Sequence, residues 1–331
     1  MIGKCFARAF LACGVALSAC SGPATNSSPA IPPQAQTPAR SSGHVPGSIS
    51  FSFQTVDDSI SAVNAVAGIN NSSEIVGNVG AGTGSSPMES YYSTPPYSSF
   101  TPIDYTKAQQ TIATGLDNSA NNQMTAGYIV NPPQLTGIWA FVRVNGIFTL
   151  IKDRKEGTGK NTVTEILGIN DQQFGVGYFV NTLGVKIPFE VSIPFQKFVA
   201  LKPPGAKDAA ATGINNAGDI VGWGSTGSEL DGYFVRVGVY YTLEYPGATT
   251  TVALGINSHD HVVGYYANAS GPKHGFILTD PQGGSQQVWQ TIDAPNAPNG
   301  TVVTGVNDSD DISGYYVDSS GVQHGFVATA Q

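Results

Sequence analysis

The chain of 331 residues carries 15 Lys and Arg against 23 Asp and Glu, and only 11% of it is charged. That is far below the quarter or so usual in soluble domains, and a formal net charge of −8 offers no basic face for nucleic acid. The three cysteines, Cys5, Cys13 and Cys20, fall within the first twenty residues, which excludes a disulfide framework or a thiolate metal site from the rest of the chain.

Residues 1–19 read as an export signal. Lys4 and Arg8 form a positive end, and residues 9–17 make an apolar run too short to cross a bilayer as a helix. Without the two leader cations the remainder has a formal charge near −10. The run closes on Leu17-Ser18-Ala19-Cys20, which resembles the lipobox of bacterial lipoproteins. The resemblance implies cleavage before Cys20, a diacylated thiol and an acylated new amino group. Ser21, rather than Asp, after the cysteine resembles the default signal for the outer membrane. An ordinary signal peptide ending in small residues, with Cys20 incidental, is the competing reading. Several acyl chains hold a membrane far better than one, at about 0.8 kcal/mol per buried methylene.

Residues 20–50 consist mainly of Ser, Pro, Ala, Thr and Gln, with almost no large apolar side chain before residue 48. Such a stretch cannot bury enough surface to offset the entropy of ordering, so it reads as a disordered tether in which His44 is solvated.

From residue 51 to 331 one phrase returns six times: Gly-Ile-Asn, a polar turn, then Val-Gly-Tyr. It appears as Gly68-Ile69-Asn70 with Val76-Gly77, Gly115-Leu116-Asp117 with Gly127-Tyr128, and Gly168-Ile169-Asn170 with Gly177-Tyr178. It returns as Gly213-Ile214-Asn215 with Gly222-Trp223, Gly255-Ile256-Asn257 with Gly264-Tyr265, and Gly305-Val306-Asn307 with Gly314-Tyr315. Successive first glycines are 47, 53, 45, 42 and 50 residues apart, a period that belongs to solenoids and propellers. A strand-like run precedes each phrase, as in Phe53-Gln54-Thr55-Val56-Asp57 and Trp289-Gln290-Thr291-Ile292-Asp293. An aromatic strand follows it, clearest in His274-Gly275-Phe276-Ile277 and His324-Gly325-Phe326-Val327.

Four strands in each of six units predict an all-β fold, a six-bladed β-propeller. The short turn inside each phrase suits a hairpin, and the longer link before it suits a crossing between blades. The Gly-Ile-Asn strand is then innermost and the Asp-ending strand outermost. Because the pattern begins with an outermost strand near Phe51 and ends with a third strand, the N-terminal strand is expected to complete the last blade and close the ring. The phrases resemble the HAF repeats of exported bacterial proteins, named for a His-Ala-Phe motif that stands here as His-Gly-Phe. That resemblance implies a propeller-like fold and an extracellular address, and no particular reaction.

The candidate chemistry is sparse. His259-Asp260-His261 in the fifth turn offers two imidazoles and a carboxylate to a metal, or is an exposed polar turn. The sixth turn, Asn307-Asp308-Ser309-Asp310-Asp311, is rich in oxygen ligands for calcium, but lacks the Gly and distant Glu of a helix-loop-helix site. Local Asn and Asp bonds to backbone explain the recurring Asn equally well. His274 and His324 hold equivalent places and read as structural hydrogen-bond partners. The aromatic set Tyr128, Tyr178, Trp223, Tyr265 and Tyr315 either faces the axis or fills the space between blades. The segment 80–99, with Tyr91, Tyr92 and Tyr97, reads as an insertion able to cover the axial mouth.

Enzyme motifs are missing. Arg154 stands where a phosphate loop ending in Gly159-Lys160 needs glycine, and no Gly-x-Ser-x-Gly elbow occurs. No cofactor-binding motif stands in the sequence. The reading is an exported, lipid-anchored binding or scaffold module of the cell envelope, its partners the membrane through Cys20 and a glycan or protein ligand. A propeller hydrolase or lyase acting on an extracellular polymer, using carboxylates and histidines such as Asp260, His261 and Asp311, is the alternative.

Overall fold

Runs of β-branched and small residues, broken by Asn, Asp and Gly, leave the strand as the only long regular element the chain can form. The computed structural model describes residues 48–331 except 59–60, 62, 81–87, 119–123, 154–162, 194–195, 228 and 284–286. The leader, Cys20, the tether with His44, and the stretch from Arg154 to Lys160 lie outside the described residues. All 24 strands named among the described residues follow one scheme.

β1 (Phe51–Val56) stands alone at the start. Unit one is β2 (Asn64–Ile69), β3 (Ile75–Val79), β4 (Glu89–Ser93) and β5 (Thr101–Ile103); unit two is β6 (Gln110–Leu116), β7 (Met124–Val130), β8 (Ile138–Val144) and β9 (Ile147–Ile151). Unit three is β10 (Thr164–Ile169), β11 (Phe174–Val180), β12 (Lys186–Ser192) and β13 (Lys197–Ala200). Unit four is β14 (Asp208–Ile214), β15 (Ile220–Ser225), β16 (Leu230–Arg236) and β17 (Val239–Leu243). Unit five is β18 (Thr250–Ile256), β19 (Val262–Ala267), β20 (His274–Leu278) and β21 (Trp289–Ile292), and the last strands are β22 (Thr301–Val306), β23 (Ile312–Val317) and β24 (Gln323–Ala330).

Each of the first five units is an antiparallel sheet in chain order, the fourth and fifth touching through one parallel bridge between Leu230 and Thr250. The last sheet runs β1-β24-β23-β22, so the N-terminal strand supplies its outer member. Phe51 pairs with Ala330 and Val56 with Gly325. The Phe53 and Phe326 rings lie 5.2 Å apart. Asp57, just past β1, accepts the Gly325 N–H at 3.1 Å and lies 2.6 Å from Nδ1 of His324. Burial works to lower the His324 pKa, but the carboxylates of Asp57 and Asp318 outweigh it and hold the imidazole above the ordinary histidine range. His274 and Asp293 make the corresponding pair in unit five, at 3.0 Å.

Two sets of glycines explain the repeated phrase. A methyl group on Gly68 would lie 3.4 Å from the Cα of Gly115, and one on Gly115 3.7 Å from that of Gly168. The same contact runs from Gly168 to Gly213, Gly213 to Gly255 and Gly255 to Gly305, then from Gly305 back to Gly68 at 3.3 Å. Each of these first strands carries a β-bulge one residue before its glycine, for instance between Val66 and Gly68 or Ala253 and Gly255. The second set, typified by Gly177 and Gly264, sits so close to the first strand that a methyl group would collide with the carbonyls of Glu165 and Val252 at 1.8 and 1.9 Å. Opposite these glycines stand Tyr91, Phe141, Phe189, Tyr233, Phe276 and Phe326, all buried. An aromatic ring covers the space the absent side chain leaves.

This pairing takes Tyr91 and Tyr92 out of any cover over the axial mouth. Residues 81–87 lie outside the described ones, but Tyr91 and Tyr92 belong to β4, the third strand of its sheet. Tyr91 packs across from Gly77, and the Tyr97 hydroxyl donates to the Ser73 carbonyl at 2.7 Å. A buried ring opposite a glycine cannot serve as a mobile cover.

Deleting residues 48–57 removes β1 and uncovers the core around Phe326. Burial of Val56 and the two β1 phenylalanines contributes on the order of 5 kcal/mol, so the truncated protein should melt about 10 °C lower. A synthetic peptide spanning 48–58 should restore most of the loss when added in trans, whereas Gly271→Ala, with only one atom 3.9 Å from its new methyl, should leave the melting temperature unchanged. Unaltered melting of the truncated protein would show that β1 is dispensable.

Candidate functional site

The first strands bring equivalent residues of all six repeats around a common cavity. It offers about 130 Å³ to the centres of water molecules, the scale of an engineered cavity that takes up benzene, roughly 150 Å³. The first-strand glycines and their flanking Thr, Leu and Ala residues line it, together with Tyr128, Trp223 and Tyr265. Tyr178 and Tyr315 join Trp223 and Tyr265 in a buried cluster with Ala65, Ala210, Val252 and Val302. These four aromatics come from the four consecutive units three to six, and of them Trp223 and Tyr265 also line the cavity.

Three residues before the first glycine, the repeats carry Ala65, Ile112, Glu165, Ala210, Val252 and Val302. Glu165 is the departure. It is 4% exposed, pairs across the sheet with Tyr178, and takes a hydrogen bond from that tyrosine's side chain. Its Oε2 has no hydrogen-bond partner. Burial pushes its carboxyl up to about 7, against the smaller opposing effects of Tyr178 and Lys186. Lys186 itself lies with Nζ 4.7 Å from the Tyr178 ring centre and 5.2 Å from that of Trp223. Asn78 replaces the aromatic residue in unit one, and its amide is used internally: Nδ2 donates to the Ala113 carbonyl at 2.9 Å, and Oδ1 accepts the Ser90 hydroxyl at 2.6 Å.

Toward the turns, the ring of Ile69, Leu116, Ile169, Ile214, Ile256 and Val306 borders both this cavity and a second, polar one of about 90 Å³. The second is framed by the Asn turns. Asn70, Asn170, Asn215, Asn257 and Asn307 each donate an amide hydrogen to the main-chain carbonyl of the next unit, the last reaching back to Asn70. Their Oδ1 atoms accept N–H groups of their own turns, as Asn257 does from His259 and His261.

The residues singled out from the sequence serve these seams. Asp308 lines the polar cavity, where Oδ1 accepts the Ser258 N–H at 2.8 Å and Oδ2 the Asn71 amide at 2.7 Å. Burial works to raise its pKa, but those bonds and nearby His259 outweigh it and hold the carboxyl below the usual aspartate range. Asp260 shares Arg236 with Asp219. Nδ1 of His261 lies 2.7 Å from Asp310 Oδ1, which also accepts the Asn257 amide. Asp311 accepts from the Ala330 N–H and from the Ser73 hydroxyl. The His259 and His261 rings lie 6.0 Å apart. No group of three or more His, Cys, Asp or Glu among the described residues is placed to hold a metal ion. Cys20 lies outside the described residues. Glu165 escaped notice because a single acid in a β-rich chain is unremarkable until the six first strands are written in register.

No family model matches the chain, and no curated protein matches it. Among solved structures, a TolB candidate from Agrobacterium tumefaciens is similar over 86% of this chain and 99% of its own, with a TM-score of 0.55 at 11% identity. A luciferin-regenerating enzyme is similar over 85% of this chain and 95% of its own, with a TM-score of 0.52 at 11% identity. The chain spans only 60% of TolB from Acinetobacter baumannii, 73% of this chain matching at 6% identity and a TM-score of 0.49. At such identities the first two similarities concern the fold alone. The fold is of the propeller type.

The buried carboxyl makes a measurable prediction. The folded protein keeps the Glu165 proton up to about pH 7, whereas the unfolded chain releases it near 4.5. Stability should therefore fall as pH rises between those values and level off above, by at most roughly 3 kcal/mol. Glu165→Gln should remove that slope and melt higher than the parent at pH 8. A parallel pH dependence in parent and variant, followed by calorimetry, would contradict the assignment.

Proposed function

We propose that the protein is a closed six-bladed propeller, held at the bacterial cell envelope by lipid on Cys20, that binds a ligand in its axial cavity. One observation carries the binding role: the cavity wall is aliphatic and aromatic, with a single carboxyl. Hydrolysis of a glycosidic or acyl bond calls for two cooperating groups, such as an acid with a base or a nucleophile with its base. A mostly apolar wall with aromatic residues and one carboxyl suits recognition instead.

The return of the glycine contacts from Gly305 to Gly68, and of the Asn307 amide to Asn70, supports the closed ring. Six first strands meeting at one axis support the blade count. The anchor rests on Leu17-Ser18-Ala19-Cys20, and the HAF-like phrases favour an exported protein. The tether then sets the propeller away from the lipid surface, where it can serve as a binding or scaffold module for a glycan or protein.

Two experiments test this reading. A glycan array and polymer-turnover assay on residues 48–331 should show saturable binding without turnover, and Trp223→Ala should weaken that binding at least tenfold. Turnover of any polymer would favour a hydrolase or lyase, and binding indifferent to Trp223→Ala would move the site elsewhere. For the anchor, the parent expressed in a bacterial envelope should incorporate labelled palmitate and sediment with membranes, while Cys20→Ser should do neither. Equal labelling of the two would remove the lipid from the proposal.

A further inference from the structure

The polar groups around the cavity are unequally satisfied. Thr114, Thr212 and Thr304 spend their hydroxyls on the carbonyls of Ile166, Ala253 and Val66, each at 2.8 Å. The Asn78 amide is engaged at both ends. Glu165 alone among these cavity-lining side chains keeps a buried oxygen, Oε2, with no hydrogen bond. Leaving such an acceptor unpaired in an apolar enclosure is costly, and leaving it ionised and uncompensated costs more.

We infer that the axial cavity selects a small organic cation, an ammonium group on an apolar body, with Glu165 as the residue that determines specificity. This rests on the reading that the cavity binds a ligand. An ammonium supplies both what Oε2 lacks, a hydrogen-bond donor, and a compensating charge. An alcohol supplies only the donor, and a carboxylate supplies repulsion. Tyr128, Trp223 and Tyr265 line the cavity, and aromatic rings attract cations that reach their faces. The protein itself places ammonium groups against this aromatic set, Lys186 over Tyr178 and Trp223, and Lys273 4.5 Å from the centre of the Tyr265 ring. The cavity's volume accommodates one six-membered ring with a short arm.

Binding should be linked to pH because the cation needs Glu165 ionised. The groups facing that carboxyl are Tyr178 on β11, which donates to it, and Lys186 on β12, which favours its charge. Tyr128 on β7 and Asp208 on β14 act on Tyr178 in turn, and Asp208 also accepts the Lys186 N–H. With the carboxyl titrating at about 7, affinity for the amine should climb about fivefold from pH 6 to pH 7, reach about tenfold by pH 8 and flatten above that.

The test is calorimetric titration of the full-length protein with benzylamine, benzyl alcohol and benzoate, repeated with Glu165→Gln. Benzylamine is expected to bind at least tenfold more tightly than benzyl alcohol at pH 8, benzoate not at all, and Glu165→Gln to bring the amine down to the alcohol's affinity and abolish its pH dependence. Melting of the variant at or above the parent temperature confirms that it folds. Equal affinity for amine and alcohol, or an amine affinity unchanged in Glu165→Gln, overturns the cation while leaving a ligand-binding cavity in place. Failure of all three probes overturns it too, and the glycan array then decides whether the binding role falls as well.

Discussion

Six backbones cannot approach a common axis if each brings a side chain to it. That steric constraint, met by Gly68, Gly115, Gly168, Gly213, Gly255 and Gly305, underlies the rest of the molecule. A Cβ at Gly213 would fall 3.0 Å from the Leu254 carbonyl oxygen and 3.2 Å from the Cα of Gly255. Both are main-chain atoms that cannot swing aside. The bulge before each glycine follows from the same crowding, because it bends the strand where its neighbours come closest. The bulged residue is then turned toward the adjoining unit, which is how Thr114, Thr212 and Thr304 reach carbonyls of the next sheet.

Close approach brings carbonyls together, and the Asn of each phrase resolves that problem. Its side chain is bifunctional: the oxygen caps its own turn while the amide bonds the neighbour's carbonyl. Aspartate can do only the first. Unit two carries Asp117, whose Oδ1 accepts the Met124 N–H at 2.9 Å but which has no amide hydrogen to offer the next unit. One position further on, Asn71, Asn118 and Asp171 hand the same kind of bond from unit to unit, each N–H meeting the next side-chain oxygen. Asp308 donates its N–H to Asn71 Oδ1 in the same way. The acidity of the fifth and sixth turns therefore reflects acceptors placed where a neighbouring unit presents donors.

Much of this architecture could be read from the chain, because a repeated phrase reports a repeated environment. Strand order and the outer place of β1 follow from spacing and from where the pattern starts and stops. The segment with Tyr91 was misread since its spacing differs from the other units, hiding the fact that Tyr91 answers Gly77 as Phe141 answers Gly127. The site was harder. His259, Asp260, His261 and Asp310 attract attention as a group, yet their chemistry is absorbed by Arg236 and by one another. Charge density on a turn says nothing about which way the side chains point.

Copies of one position from the six repeats meet around the cavity, so a position kept apolar in five of them and acidic in one stands out there. Glu165 gains nothing for the ring: Ala65, Ile112, Ala210, Val252 and Val302 fill the same place without a desolvated carboxyl. Residues that build the ring recur because every seam needs them. A residue that works against folding and does not recur has to be accounted for by something outside the repeat. The cavity beside it, large enough for a small ring and walled in part by Tyr128, Trp223 and Tyr265, is a feature the repeat does not itself explain.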